Sequence, residues 1–129
     1  MSGAPKRTPE PMPTFERGDV VKVPFPYTDR ATRQSRPALV VSARGIQDAQ
    51  GLLWVVMITS AQNRGWSDDV SVNDLAMAGL PVPSVIRTAK IATIEAGDAA
   101  RLGRISPGVL RRVATLLSRT LGLAPTSRP

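Results

Sequence analysis

The chain has 129 residues, no cysteine and no histidine, and carries 17 Lys and Arg against 10 Asp and Glu, a formal net charge of +7. Without those two residue types, thiol chemistry, a Ser-His-Asp triad, a Cys-His pair and a histidine-based zinc site are excluded. The length suits one domain with a core that needs no disulfides, no apolar run nears the ~20 residues that span a bilayer, and the basic balance favours polyanionic partners in a cytoplasmic setting.

Residues 1–14 hold four prolines and almost nothing to bury, which predicts a disordered or extended arm. Phe15 marks the start of the domain, 15–122. Arg17-Gly18-Asp19 turns the chain into a strand at Val20–Val23, which Pro24 and Pro26 are expected to stop. A polar loop then runs to Ser35 and carries Tyr27, Arg30 and Arg33. Arg36-Pro37-Ala38-Leu39-Val40-Val41-Ser42 predicts a second, buried strand over about 37–43, with Pro37 at its first position or on an edge because it lacks a ladder donor. Arg44-Gly45 leads out through a polar segment, and Gly51 precedes a third strand over about 52–58, in which Trp54 is expected to be core.

Residues 61–69 read as a polar loop with Asn63, Arg64, Gly65 and Trp66. A short strand over 69–72 and one helical turn from Asn73 to Gly79 follow. Strands are predicted at Ser84–Arg87 and Lys90–Ile94, whereas Arg101–Ile105 fits either strand or turn. The last element is a helix, with Ser106 as N-cap and Pro107 in its first turn, where a missing N–H costs nothing. Leu110, Val113, Ala114, Leu117 and Leu121 make its apolar stripe, Gly122 ends it, and 123–129 read as a frayed tail. The elements predict a mainly β domain: a small curled antiparallel sheet whose final helix covers one open side.

Neither a Walker A lysine motif nor a Gly-x-Gly-x-x-Gly phosphate cradle is present. The adjacent acids Asp68 and Asp69 read as a solvated loop pair rather than a metal site. Arg36 stands where a loop enters the core, a position costly for a guanidinium unless it is paired or faces an open groove. The third strand ends in the hydroxyls of Thr59 and Ser60. These three residues are candidates for holding a phosphate, against the plainer reading of a loop-end arginine and a strand-capping threonine. Phe25, Tyr27 and Trp66 are placed in loops, from which aromatic rings either stack on bases or lid the core.

Gly18-Asp19-Val20-Val21, Arg36-Pro37-Ala38-Leu39-Val40-Val41-Ser42, Ile58-Thr59-Ser60, Ser84-Val85-Ile86-Arg87 and Lys90-Ile91-Ala92-Thr93-Ile94, followed by the leucine-rich helix, resemble in content and order the MazF/PemK toxin family over roughly residues 15–121. The resemblance implies a PemK-like barrel related to SH3 folds, usually dimeric. It implies a metal-independent endoribonuclease that cuts single-stranded RNA without a cofactor and is restrained by a cognate antitoxin through an acidic, partly disordered segment. It places the catalytic arginine and threonine on Arg36 and Thr59 and a substrate-contacting serine on Ser84. Ser60, Lys90, Tyr27, Arg33 and Trp66 complete the expected RNA-binding set. Many members carry Gln and then Arg two residues on where this chain has Lys90 and Ala92, and the first loop lacks their Gly-Glu pattern. Two other functions fit a basic barrel. One is a CcdB-like toxin that binds gyrase, although the ending Thr126-Ser127-Arg128-Pro129 lacks the Trp-Gly-Ile of that group; the other is an RNA-binding barrel without catalysis.

Overall fold

The computed structural model describes residues 13–25 and 34–123. Most of the predicted arm, the loop residues 26–33 with Tyr27, Arg30 and Arg33, and the tail beyond Leu123 lie outside the described residues. Six strands, β1 (Asp19–Phe25), β2 (Gln34–Val40), β3 (Leu52–Ser60), β4 (Asp69–Ser71), β5 (Ser84–Glu95) and β6 (Ala100–Arg104), form one sheet in the order β4-β5-β3-β2-β1-β6. Every pairing is antiparallel. Among the described residues, three α-helices accompany it: α1 (Arg44–Gln50), α2 (Leu75–Ala78) and α3 (Pro107–Thr120). The expected antiparallel sheet with a final helix is present. The barrel that the resemblance implies is not closed here, because the outer strands β4 and β6 do not pair with each other among the described residues.

Both faces of this sheet are apolar. Val20, Leu39, Val56, Ile58 and Ile86 pack on the α3 side with Val109, Val113 and Leu116. Val21, Val23, Ala38, Val40, Val55 and Met57 pack on the opposite side with Phe15, Ile94 and Ala96. A strand covered on both sides needs apolar residues at every position, so β2 and β3 read as unbroken runs rather than alternations.

Pro24 and Pro37 are both tolerated inside strands, contrary to the expectation from sequence. β1 pairs with β6 only from Asp19 to Lys22, so Pro24 lies beyond that ladder. On β2, Val40 O accepts from Gly18 N and Val41 N donates to Trp54 O, so alternate residues turn their hydrogen-bonding groups to β1 and to β3. By that alternation Pro37 faces β3, whose ladder with β2 has already ended at Ala38–Met57. The missing N–H therefore leaves no ladder bond unmade.

Four further readings need correction. Trp54 is 44 % exposed rather than core, because it points to the α3 side at the margin of the sheet. The polar segment after Val41 forms α1, whose buried Gln47 accepts from Phe15 N at 3.0 Å and donates to Pro13 O at 2.6 Å, tying down the start of the domain. The two predicted strands at 84–87 and 90–94 are one strand, β5, with a register shift where Thr88, Ala89 and Lys90 intervene between the partners of Met57 and Val56. On α3, Ser106 Oγ accepts from Val109 N at 3.3 Å, as an N-cap should. The helix is rotated from the predicted stripe: Val109, Val113 and Leu116 are buried, while Leu121 is exposed.

Candidate functional site

The sheet forks at one end. β1 and β2 stay paired out to Phe25–Gln34, and β3 and β5 stay paired out to Ser60–Ser84. Between these two arms, β2 and β3 pair only from Ala38–Met57 inward. Arg36 lies on one arm, two residues past Ala38, and Thr59 on the other, two past Met57. Side chains alternate with period two, and Ala38 and Met57 share the face opposite α3. Arg36 and Thr59 therefore share that face and stand across the fork from each other. The same register carried outward would set them directly opposite.

The two are held differently. Arg36 is half-buried and makes no ion pair among the described residues. Thr59 is only 4 % exposed. Its Oγ1 accepts from Asn63 Nδ2 at 3.0 Å, and its own O–H meets no acceptor among the described residues. Asn63 belongs to the short turn Ala61–Asn63 that leaves β3, and it is exposed.

Behind Asn63 lies a buried ion pair. Arg87 on β5 donates from Nε to Asp69 Oδ1 at 3.2 Å and from Nη2 to Asp69 Oδ2 at 2.9 Å. Nη2 also donates to the backbone carbonyl of Asn63 at 2.7 Å. Trp66 covers the guanidinium, with Arg87 Cζ 4.4 Å from the ring centroid, and Lys90 Nζ lies 5.9 Å from the same centroid. Both side chains of the ion pair are about nine-tenths buried. Asp69 is thus a structural counter-ion, not the solvated loop acid that its neighbour Asp68 suggests.

Of the predicted site residues, Arg36, Thr59, Trp66 and Lys90 gather at or near the fork. Ser60 and Ser84 pair with each other one step along β3 and β5, and by alternation they turn to the other face. Ser60 Oγ accepts from Gln62 N, and the buried Ser84 donates to Val82 O at 2.8 Å, so both hydroxyls serve local turns. Tyr27 and Arg33 lie outside the described residues. The roles of Asp69 and Arg87 and that of the Asn63 amide escape sequence reading. One signal was available: Arg87 follows the buried Val85 and Ile86, and a charge in such a run demands a partner.

Chemically, the fork offers guanidinium donors and a hydroxyl, a set suited to an anion with several oxygens. Among the described residues no three of His, Cys, Asp and Glu stand together.

A family model described as "PemK-like, MazF-like toxin of type II toxin-antitoxin system" matches residues 16–121. Solved structures share the fold. A MazF structure from Deinococcus radiodurans is 23 % identical, covering 84 % of this chain and 97 % of its own, with a TM-score of 0.69. A MazE–MazF structure from the same organism is also 23 % identical, over 86 % of this chain and 98 % of that one, with a TM-score of 0.67. A mycobacterial endoribonuclease in complex with its cognate antitoxin is 20 % identical, over 90 % and 100 %, with a TM-score of 0.68. No curated protein sequence matches.

Proposed function

This chain belongs to the PemK-like, MazF-like toxins of type II toxin–antitoxin systems, and on that premise we propose that it is an endoribonuclease that cuts single-stranded RNA, mRNA included, by attack of the 2′-hydroxyl on the adjacent phosphate. The observation that carries this reading is the fork, where Arg36 and Thr59 share a sheet face with no ladder between them.

RNA brings its own nucleophile, so the protein has to supply geometry and positive charge around a pentacovalent phosphorane. Arg36 is the transition-state clamp, giving parallel hydrogen bonds to non-bridging oxygens with a fixity lysine lacks. A guanidinium offers only donors and no acceptor, so it is unsuited to taking the proton from the 2′-hydroxyl. Thr59 donates its O–H to the phosphate, while Trp66 and Lys90 bind the flanking nucleotides by stacking and charge. Neither metal nor cofactor enters this chemistry.

The restraining partner is an antitoxin whose acidic, partly disordered segment lies over the basic fork, which the net charge of +7 favours. The protein acts in the cytoplasm as a homodimer. Support for the dimer comes from an apolar groove of ≈ 490 Å³ beside α3, lined by Trp54, Ile91, Leu110, Val113 and Leu117. Among the described residues, Arg17 is the one charged residue in that lining, so two like-charged copies can meet there with few charges opposed.

The test is cleavage of a long unstructured RNA in EDTA. Products should end in 2′,3′-cyclic phosphate and 5′-hydroxyl, and a 2′-deoxy substitution at a mapped cut site should abolish cutting there. Cleavage that requires Mg²⁺, or that survives the deoxy substitution, would overturn the reading.

A further inference from the structure

We propose that Arg87 is a positioning residue. Locked to Asp69 beneath Trp66, it fixes the loop from which Asn63 holds the Thr59 hydroxyl, and so aims the Thr59 proton at the RNA phosphate. The inference rests on the nuclease reading above and names residues which that reading leaves without a role.

A threonine hydroxyl has one proton to donate and rotates to suit its neighbours. Asn63 Nδ2 occupies an acceptor site on Thr59 Oγ1 at 3.0 Å, which leaves the proton to point elsewhere. Asn63 is exposed and sits on a short turn, and among the described residues its side-chain amide makes no hydrogen bond besides the one to Thr59. The backbone carbonyl of Asn63, which anchors the turn carrying that amide, is gripped from behind by Arg87 Nη2 at 2.7 Å. Arg87 in turn cannot swing away, because Asp69 takes two of its N–H groups and the Trp66 ring lies 4.4 Å from its Cζ.

The result is one connected series, Asp69 to Arg87 to Asn63 to Thr59. It spans the loop between β3 and β4 and ends on the hydroxyl at the fork. A buried ion pair is a poor source of net stability, since desolvation offsets most of the attraction. What a two-pronged guanidinium adds is fixed direction. Arg87 spans both ends of the loop, joining Asp69, where β4 begins, to the turn that follows Thr59.

The test measures steady-state cleavage of an RNA oligonucleotide containing a mapped cut site by wild type, Asn63→Ala, Arg87→Lys, the double variant of these two, Thr59→Val, and Asn63→Ala in the Thr59→Val background. Misplacing a catalytic group by about an ångström costs up to ~10²-fold. Asn63→Ala and Arg87→Lys should therefore each lower kcat by about 10–100-fold. KM should hardly change, the double variant should be no slower than the slower single one, and Asn63→Ala should have no effect on top of Thr59→Val. Asn63 is exposed, so this arm does not depend on Arg87→Lys folding well. In a Trp54→Phe background, Arg87→Lys should also red-shift Trp66 emission, a readout independent of cleavage.

If Thr59→Val is inactive while Asn63→Ala and Arg87→Lys cut like wild type, or if their losses multiply, the positioning role is wrong and the nuclease reading stands. Unchanged Trp66 emission in Arg87→Lys would likewise refute the grip. A wild-type protein that leaves RNA whole sinks the nuclease reading and the inference with it.

Discussion

Arg87 is enclosed by Asp69, Asn63 and Trp66, whereas Arg36 on the same sheet face has no carboxylate partner among the described residues. That contrast predicts opposite consequences of removing each charge. Arg36→Ala should leave thermal unfolding within a degree or two of wild type and lower the cleavage rate by about 10²–10³-fold, the scale for one lost transition-state donor. Cleavage by the variant at the wild-type rate would remove Arg36 from the mechanism. Asp69→Ala, by contrast, strands a buried guanidinium and should cost about 3–5 kcal/mol in urea unfolding. Replacing the pair together, as Asp69→Leu with Arg87→Met, should recover most of that loss, because an apolar pair avoids the desolvation. Arg36 was legible because a Pro-led apolar run fixes where the strand enters the core. Asp69 was not, since its partner lies 18 residues away and local sequence says only that two acids adjoin in a loop.

At the scale of elements, the least legible parts are those where an ordinary rule is relaxed by a neighbour. Helix α1 has no capping side chain and buries only Gln47, so it carries neither a start signal nor an apolar stripe. β5 read as two pieces because Thr88, Ala89 and Lys90 bulge from its ladder with β3. The α2–β6 contact is equally silent. A Cβ on Gly103 would overlap the Met77 carbonyl oxygen and the Ala78 backbone, and one on Gly79 would overlap the Leu102 carbonyl. Two backbones thus pass each other where only hydrogens fit. Gly103→Ala has no flexible neighbour to displace and should lose about 1–3 kcal/mol, the usual cost of overpacking. Gly45→Ala, in open space on α1, is the control and should be neutral or slightly stabilising, through helix propensity. Equal midpoints for the two variants would show that α2 and β6 can part without cost.

Across the whole molecule, the sheet is apolar on both faces at its centre, and its exposed polar and exposed apolar groups gather on different faces at its margins. The fork sets the Thr59 hydroxyl, the Asn63 amide and Arg36 on the face away from α3, while Trp54 and Ile91 stand 44 % and 51 % exposed on the α3 side. Scattered apolar residues on a surface mean little, but contiguous ones beside a groove mark an interaction site. Sequence reading placed Trp54 in the core because it counted both faces of β3 as covered; α3 covers only part of one. If a second copy covers the rest, Trp54→Asp buries a carboxylate in an apolar interface, and its desolvation should dissociate the dimer. Sedimentation at micromolar concentration should then show wild type at twice the chain mass and Trp54→Asp at the chain mass, both with the same far-UV spectrum. Wild type sedimenting as a single chain would mean that the groove is not closed by its own kind. Trp54→Phe is the companion variant: it keeps an apolar ring in the groove and should remain dimeric, which separates the loss of a ring from the arrival of a charge.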